Sequence, residues 1–229
     1  MWNESISVDV LDNIRYLGIS DDNVLKPIFV FLVENKNFAD KLKCDFSELL
    51  ILWENVEFAH QHELNEQSCE KAAYQGCFYY LQYAHENGCP WDEDTCKYAA
   101  KKGHLDCLQY AHENGCPWDV FTCWHAHLDC LQYAHENGCP WDEVTCYIAA
   151  LNGHLDCLQY AHENGCPWDE ELCTHAAMNG HLDCLQYAHE NGCPWDAETC
   201  RCAVENGYFD CLKYAHENGC PWDADVCRL

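Results

Sequence analysis

Residues Asp142–Trp168 read DEVTCYIAALNGHLDCLQYAHENGCPW, and this stretch decides the fold because it recurs along the chain. The string YAHENGCPWD, which begins at Tyr160 in this copy, occurs six times in the 229 residues. Its copies begin at Tyr83, Tyr110, Tyr133, Tyr160, Tyr187 and Tyr214, with spacings of 27, 23, 27, 27 and 27 residues. Repetition at such a period indicates a stack of small structural units.

Each copy predicts two short helices. The first begins after Asp142, whose side chain suits an N-cap, and ends at Gly153, because glycine readily adopts the left-handed backbone of a helix C-terminus. The second spans about residues 154–164, and Pro167 beyond it cannot continue a helix. Small or apolar residues occupy one face of each helix: Cys146, Ala149 and Ala150 in the first, and Leu155, Leu158 and Ala161 in the second. One such pair is too small to bury its apolar face alone, so the copies must stack.

The repeat also resembles a known family. AALNGHLDCLQYAHENGC at residues 149–166 resembles the ankyrin signature of Ala-Ala, a turn, Gly-His-Leu-Glu, an apolar helix and Asn-Gly-Ala. It is more similar still to the short, cysteine-rich ankyrin-like repeats of giant DNA viruses and their amoebal hosts. The resemblance covers about residues 66–229 and implies an all-α fold, an α-solenoid of stacked helix-turn-helix repeats.

Two features qualify this expectation. The unit is about six residues shorter than an ankyrin repeat, and the missing part corresponds to the β-hairpin finger, so we expect a solenoid that lacks fingers. A leucine-rich repeat is the alternative at this period, but LQYAHENG at residues 158–165 is poor in β-branched residues and favours a helix.

The repeats occupy only part of the chain. Residues 1–65 lack the pattern and are expected to form a helical N-terminal cap or docking region, with helices at Ser7–Leu17, Val24–Leu42 and Phe46–His60. About six units follow over residues 66–229, and the one near 123–127 lacks four residues. Because four residues make about one helical turn, we expect a shortened helix and a local bend there. The sequence ends early in a further helix, so we also expect an uncapped C-terminal end that permits self-association.

Charge narrows the range of partners. The formal net charge is −27, from 39 acidic and 12 basic residues, which disfavours nucleic acids and anionic membranes. The first residues show no secretory signal, and the longest apolar stretch, Ile28–Val33, is too short to span a bilayer. We therefore expect an intracellular, cytoplasmic protein, and the viral resemblance extends this expectation to the cytoplasm of a host cell.

The 21 cysteines allow several interpretations. Cys107, His112, Cys116 and Cys123 form a recurring array that could hold zinc, although it lacks a Cys-x2-Cys pair. The same cysteines fit apolar positions of the helices and could be buried thiols, and disulfides are the third possibility. The histidine at His162 is expected to lie in the core with one hydrogen bond. Six copies of one Cys-His pair do not suit a nucleophilic enzyme, so we expect no catalytic activity and no cofactor.

The positions at which the copies differ lie mostly in the first helix, and they are expected to point away from the Cys-Ala-Ala face. We call this set the first-helix face: Asp94, Lys97, Tyr98, Lys101, Phe121, Trp124, Val144, Tyr147, Ile148, Leu151, Glu171, Thr174, His175, Met178, Glu198, Arg201 and Glu205. Several are aromatic or apolar residues of the kind that dominates protein interfaces. Neutral drift at exposed positions is the alternative explanation.

These observations favour a non-enzymatic scaffold that binds a partner protein along the first-helix face. A zinc-binding or thiol-rich structural repeat protein is the alternative. A spacer with no defined partner is a third hypothesis.

Overall fold

The computed structural model describes residues 22–34, 55 and 58–221, together with their side chains except those of residues 22–25 and 170. Throughout these ranges the regular structure is helical, and they contain no β-strand. The chain divides into two units, each of which is considered by itself. The first comprises residues 1–99 with 106–116, and the second comprises residues 100–105 with 117–229.

The first unit contains an N-terminal helix followed by helix pairs. Its helices are α1 (Asp22–Glu34), α2 (Ser68–Gln75), α3 (Phe78–Glu86), most of α4 (Glu93–Lys102) and nearly all of α5 (Leu105–Glu113).

The second unit is a stack of four helix pairs. They are α6 (Val120–Trp124) with α7 (Leu128–Glu136), α8 (Glu143–Asn152) with α9 (Leu155–Glu163), α10 (Glu170–Met178) with α11 (Leu182–Glu190), and α12 (Ala197–Glu205) with α13 (Phe209–Glu217). The first helices contact one another in the order α6, α8, α10, α12, and the second helices in the order α7, α9, α11, α13. This is the two-layered solenoid that the sequence predicts. Only six residues separate α9 from α10, so no hairpin finger interrupts the stack there.

The first helices begin at the predicted aspartates. The Asp169 carboxylate accepts a hydrogen bond from the backbone N–H two residues on, at 3.1 Å, and Asp119 and Asp196 do the same in their copies. Asp142 holds the N-cap position of α8 but makes no such side-chain bond. Its carboxylate accepts instead from Trp124 Nε1 at 2.8 Å. The predicted N-cap position is therefore correct. At Asp142, however, the carboxylate accepts a hydrogen bond from Trp124 of the preceding copy and not from the helix backbone.

Glycine ends α8 for two reasons. Gly153 has φ of 73°, in the left-handed region that other residues rarely adopt. A Cβ at this position would lie 2.4 Å from His181 Nδ1 of the next copy. The His181 ring lies this close because its Nε2 contacts the Leu151 backbone oxygen at 3.1 Å. His181, at the start of α11, can thus bond a backbone group left open at the end of α8, the first helix of the preceding copy.

Small side chains fill the interior of the second unit, as the helix faces predict. Cys146 and Ala150 of α8 and Leu158 and Ala161 of α9 are fully buried, and the corresponding residues of the next copy are buried as well. Because mainly small residues, namely cysteine, alanine and threonine, line the interior face of the first helices, neighbouring helices can approach closely.

From the sequence we expect the repeated histidine to lie in the core, but the structure places it at the surface of the second helices. His162 is half-buried, its ring stacks on Trp168 with centroids 3.6 Å apart, and its Nδ1 lies 3.0 Å from the Tyr187 hydroxyl of the next copy. His189 makes the same contacts one copy later, with a 3.7 Å stack on Trp195. The histidine therefore links successive copies at the surface of the second helices instead of filling the interior.

Helix α1 packs on the first helix pair. Phe29 is fully buried, and its ring centroid lies 6.0 Å from those of both Tyr79 and Tyr83 in α3. His60 lies in a helical turn at residues 58–61, and its Nε2 is 3.2 Å from the Leu32 backbone oxygen. These contacts cover part of α3, in keeping with the cap that we predict for residues 1–65.

Some sequence-based predictions fall outside the described residues. The helix predicted at Ser7–Leu17, the part of the second predicted helix after residue 34, and the C-terminal residues 222–229 with their proposed self-association belong to this group. The shortened repeat lies within the described residues, and α6 has five residues where α8 has ten. Helix α6 is thus five residues shorter than α8, and the bend stays a prediction.

Candidate partner-binding face

Most of the predicted first-helix face is accessible to a partner. Of its residues, only Ile148 and Thr174 are buried, with 6% and 8% of their surface exposed. Thr174 Oγ1 lies 3.2 Å from Thr199 Oγ1 of α12, and α8, which carries Ile148, is packed between α6 and α10. The expectation that every varying position points outwards is wrong for these two residues. Both pack within the stack.

Aromatic side chains dominate the first-helix face on α6 and α8. Phe121 is 44% exposed, and its ring meets that of Trp124 edge to face with centroids 4.4 Å apart. The bond from Trp124 Nε1 to the Asp142 carboxylate fixes the orientation of the indole. On the next helices Tyr147 meets His175 edge to face at 4.5 Å. These rings form a hydrophobic area on adjacent helices. Hydrogen bonds hold the ring nitrogens of Trp124 and His175 in place.

The character of the face changes towards α12. Leu151 and Met178 are half-exposed and extend the apolar area across α8 and α10. On α12, Arg201 forms ion pairs with Glu198 and with Glu205, the latter at 3.2 Å. The contacts with the two glutamates raise the pKa of the Arg201 guanidinium, which therefore stays charged. The second unit thus presents an aromatic end and a charged end. Val144, Glu171 and Lys101 lie at its accessible positions as well.

The first unit has its own part of the face on α4. Tyr98 meets Tyr74 of α2 edge to face, with centroids 5.7 Å apart, and the Lys97 ammonium lies 4.9 Å from the centre of the Tyr98 ring. Lys97 is also paired with Asp94. Tyr74 is 41% exposed, so this pair of tyrosines is open to solvent.

Sequence analysis missed the part of the face on α2. Glu70, Lys71 and Tyr74 stand 27 residues before Lys97, Tyr98 and Lys101, so they occupy the same positions in the degraded first copy. With Tyr98, Phe58 and His62 they line an open groove in the first unit. Extending the repeat register upstream of Tyr83 would have found them.

The cysteines are structural within the described residues. All of those described are free thiols, and all but Cys89 are buried. Cys166 Sγ donates to the Asp142 backbone oxygen at 3.1 Å, and Cys193 and Cys220 make the same bond in their copies at 3.0 Å. These thiols tie each turn to the start of its own first helix. The buried-thiol interpretation is therefore confirmed for them.

Thiol pKa values follow from these surroundings. Burial raises the pKa of the Cys157 and Cys184 thiols to about 12. The Cys146 thiol donates to Cys166, which raises the pKa of Cys146 and lowers that of Cys166. A buried, protonated thiol such as Cys157 is neither a nucleophile nor a ready metal ligand.

The zinc alternative gains no support from the geometry. Across residues 22–34, 55 and 58–221, no three His, Cys, Asp or Glu side chains converge on a possible metal position. In the same part of the chain, no helix is both long enough and apolar enough to cross a membrane.

Comparison with known proteins agrees with this architecture. The family model for ankyrin repeats, which occur in many copies, matches residues 121–162 and 173–216. These two segments are therefore similar to ankyrin repeats. Among solved structures, the ankyrin repeat domain of human ASB11 superimposes with a TM-score of 0.58 and 17% sequence identity, covering 66% of this chain and 83% of that domain. At this identity the likeness concerns the fold alone. No curated protein sequence matches the chain.

Proposed function

We propose that this protein is a non-enzymatic scaffold that binds another protein through the first-helix face of its second unit. Ankyrin repeats generally mediate protein–protein interactions. The observation that carries the proposal is the row of accessible side chains on adjacent first helices, above all Phe121, Trp124, Tyr147 and Met178. These residues differ from copy to copy, whereas the second helices α7, α9 and α11 share the sequence LDCLQYAHE.

The energetics favour a partner at the aromatic end. An exposed ring such as Phe121 leaves apolar surface in water, and covering it would contribute about 25 cal/mol for each Å² buried. Trp124 is already held by Phe121 and Asp142, so little conformational entropy is lost when a partner contacts it. Rigid aromatic residues of this kind supply most of the affinity in many interfaces.

The cell interior is the compartment that we propose, because a chain with many free buried thiols is best maintained where thiols stay reduced. Since the described cysteines form no disulfides, they give no support to an extracellular, disulfide-stabilised protein. The proposal assigns no catalytic activity and no cofactor.

The test is affinity capture from a cell lysate under reducing conditions, followed by titration with the purified partner. The variant carries Phe121→Gln, Tyr147→Gln and Met178→Gln, since all three side chains are accessible. We expect its dissociation constant to rise at least ten-fold, because two or three interface anchors are removed.

A matched control keeps the number of changes and the unit constant. Gln132→Ser, Gln159→Ser and Gln186→Ser alter half-exposed residues on α7, α9 and α11. The control should bind as the wild type does, and helicity and urea midpoint should be close in all three proteins. If the first-helix variant retains the same partner with the same affinity, or if no partner binds the wild type, the proposal fails and the spacer hypothesis gains.

A further inference from the structure

A second groove lies in the first unit, between the second helices α3 and α5. Phe78, Tyr79 and Gln82 of α3 form one side, and Asp106, Gln109, Tyr110 and Glu113 of α5 form the other. Its position on the second helices separates it from the first-helix face. Among the described residues that line it, there is no lysine, arginine or histidine.

Aromatic rings form the floor of this groove and are held in place. The Phe78 centroid lies 5.5 Å from that of Tyr79 and 6.0 Å from that of Tyr110, edge to face in both pairs. Tyr79 is stacked on Phe29 of α1, and the Tyr110 hydroxyl lies 2.9 Å from His85 Nδ1. The floor is therefore preorganised, and binding over it would cost little side-chain entropy.

Carboxylates stand at both ends of the groove on α5. Asp106 and Glu113 are exposed and lie seven residues apart, with Gln109 between them on the same side of the helix. One Asp106 oxygen accepts from the Cys107 N–H at 2.8 Å, which orients the carboxylate. At a rise of about 1.5 Å per residue, the two acidic positions are separated by about 10 Å along the helix.

The aromatic pair Phe78-Tyr79 occurs in the first copy. At the position of Phe78, helices α5, α7, α9 and α11 have leucine and α13 has Phe209, and at the position of Tyr79 all five have aspartate. The sequence LQYAHE that follows at residues 81–86 is the same in α5, α7, α9 and α11, and these four helices differ from α3 at residues 78–80, where α3 has three aromatic residues. Tyr79 is buried against Phe29 of α1, whereas Phe78 is half-buried and lines the groove.

We propose that this groove binds an extended, basic segment of a partner protein, with lysine or arginine at every third residue. Segments in the polyproline II conformation dock in aromatic-lined grooves, and a net charge of −27 attracts basic segments over a longer range. In a polyproline II segment, every third residue lies on the same side at a spacing of about 9 Å. This spacing matches that of Asp106 and Glu113, so two successive cations can each meet a carboxylate while the backbone between them crosses the rings.

The test uses four fluorescent peptides and the full chain, with affinities measured by anisotropy at physiological salt. The basic probe is (Arg-Pro-Pro)4, and (Glu-Pro-Pro)4 and (Ser-Pro-Pro)4 have the same backbone with other charges. A fourth peptide has the composition of the first with all of its arginines adjacent. We expect (Arg-Pro-Pro)4 to bind more tightly than the other three.

Two chain variants locate the site. Glu113→Gln should weaken binding of (Arg-Pro-Pro)4 by about three- to five-fold, and Phe78→Leu, which introduces the leucine of α5, α7, α9 and α11, by a similar factor. Glu163→Gln is the matched control, because Glu163 is the exposed equivalent of Glu113 on α9 and the change in net charge is the same. Its effect should stay below two-fold.

Three results would overturn the proposal. They are no binding of (Arg-Pro-Pro)4, equal binding of the peptide with adjacent arginines, and equal weakening by Glu113→Gln and Glu163→Gln. The last would mean that only the overall charge attracts the peptide. Because both exposed glutamates tolerate glutamine without loss of a packed side chain, folding does not confound the comparison. The outcome is independent of the first-helix face, whose variants leave this groove untouched.

Discussion

The two helices of each repeat differ in what varies between copies. In the second unit, α9 and α11 have the same sequence, LDCLQYAHE, and make the same contacts, since His162 stacks on Trp168 at 3.6 Å and His189 on Trp195 at 3.7 Å. The neighbouring first helices α8 and α10 read EVTCYIAALN and EELCTHAAM, and share their first glutamate, the buried cysteine and the two alanines at matching positions. Stacking is thus encoded mainly in the second helix and the turn.

This division has a physical basis. Each second helix and its turn supply the buried leucine, the thiol that ties the turn, and the histidine that reaches the next copy, so a change there disturbs two interfaces at once. A first helix needs only small residues on its inner face, and the remaining positions are free to acquire binding residues. We therefore expect equivalent substitutions to be more costly on the second helix and in its contacts than on the first-helix face.

The largest difference is expected for leucine truncation. Leu158→Ala on α9 removes a fully buried side chain and should lower the free energy of unfolding by about 2–5 kcal/mol. Leu151→Ala on the first-helix face removes a half-exposed side chain and should cost less than about 1 kcal/mol. Urea denaturation of both variants under reducing conditions measures the difference, and equal losses would refute the division between the helices.

A smaller difference is expected between two glycines. Gly165→Ala places a Cβ in the left-handed region at φ of 84° but in open space, so it should cost about 1 kcal/mol. Gly153→Ala adds a clash with His181, whose ring must move away from the Leu151 oxygen, and should cost about 1 kcal/mol more.

The double variant Gly153→Ala/His181→Ala separates the backbone strain at residue 153 from the clash between the new Cβ and the His181 ring. If the collision matters, the two losses in unfolding free energy should add to more than the loss of the double variant, because His181→Ala removes the obstacle. Strictly additive losses would show that only the backbone conformation of Gly153 requires glycine.

The smallest expected difference is between the coupling energies of two ring pairs, one on the second helices and one on the first helices. A double-mutant cycle with His162→Ala and Tyr187→Phe should give a coupling of about 1 kcal/mol, because a hydrogen bond joins these side chains between copies. The first-helix pair Tyr147 and His175 should give about half of that, roughly 0.5 kcal/mol, because the His175 Nδ1 contacts the Glu171 backbone oxygen instead. A larger coupling on the first-helix face would contradict the assignment of stacking to the second helices.

Much of the fold could be predicted from the repeat itself. The positions of the helices, the left-handed Gly153, the buried Cys-Ala-Ala face and the shortened α6 all follow from local pattern and propensity. The candidate face was predicted less completely. Tyr74 was missed because its copy is degraded, and Ile148 and Thr174 were included although they are buried. Copy-to-copy variation marks positions that tolerate change, and a few of these still lie between neighbouring helices.

The sequence by itself determined that this protein is a stack of helix pairs, because helical periodicity and turn residues act over a few neighbouring positions. Only the tertiary structure decided which groups meet across copies: Trp124 with Asp142, His181 with the end of α8, and the aromatic floor between α3 and α5. These partners are separated by 18 or more residues along the chain. Their meeting depends on how closely whole helices approach, and a local pattern carries no information about that distance.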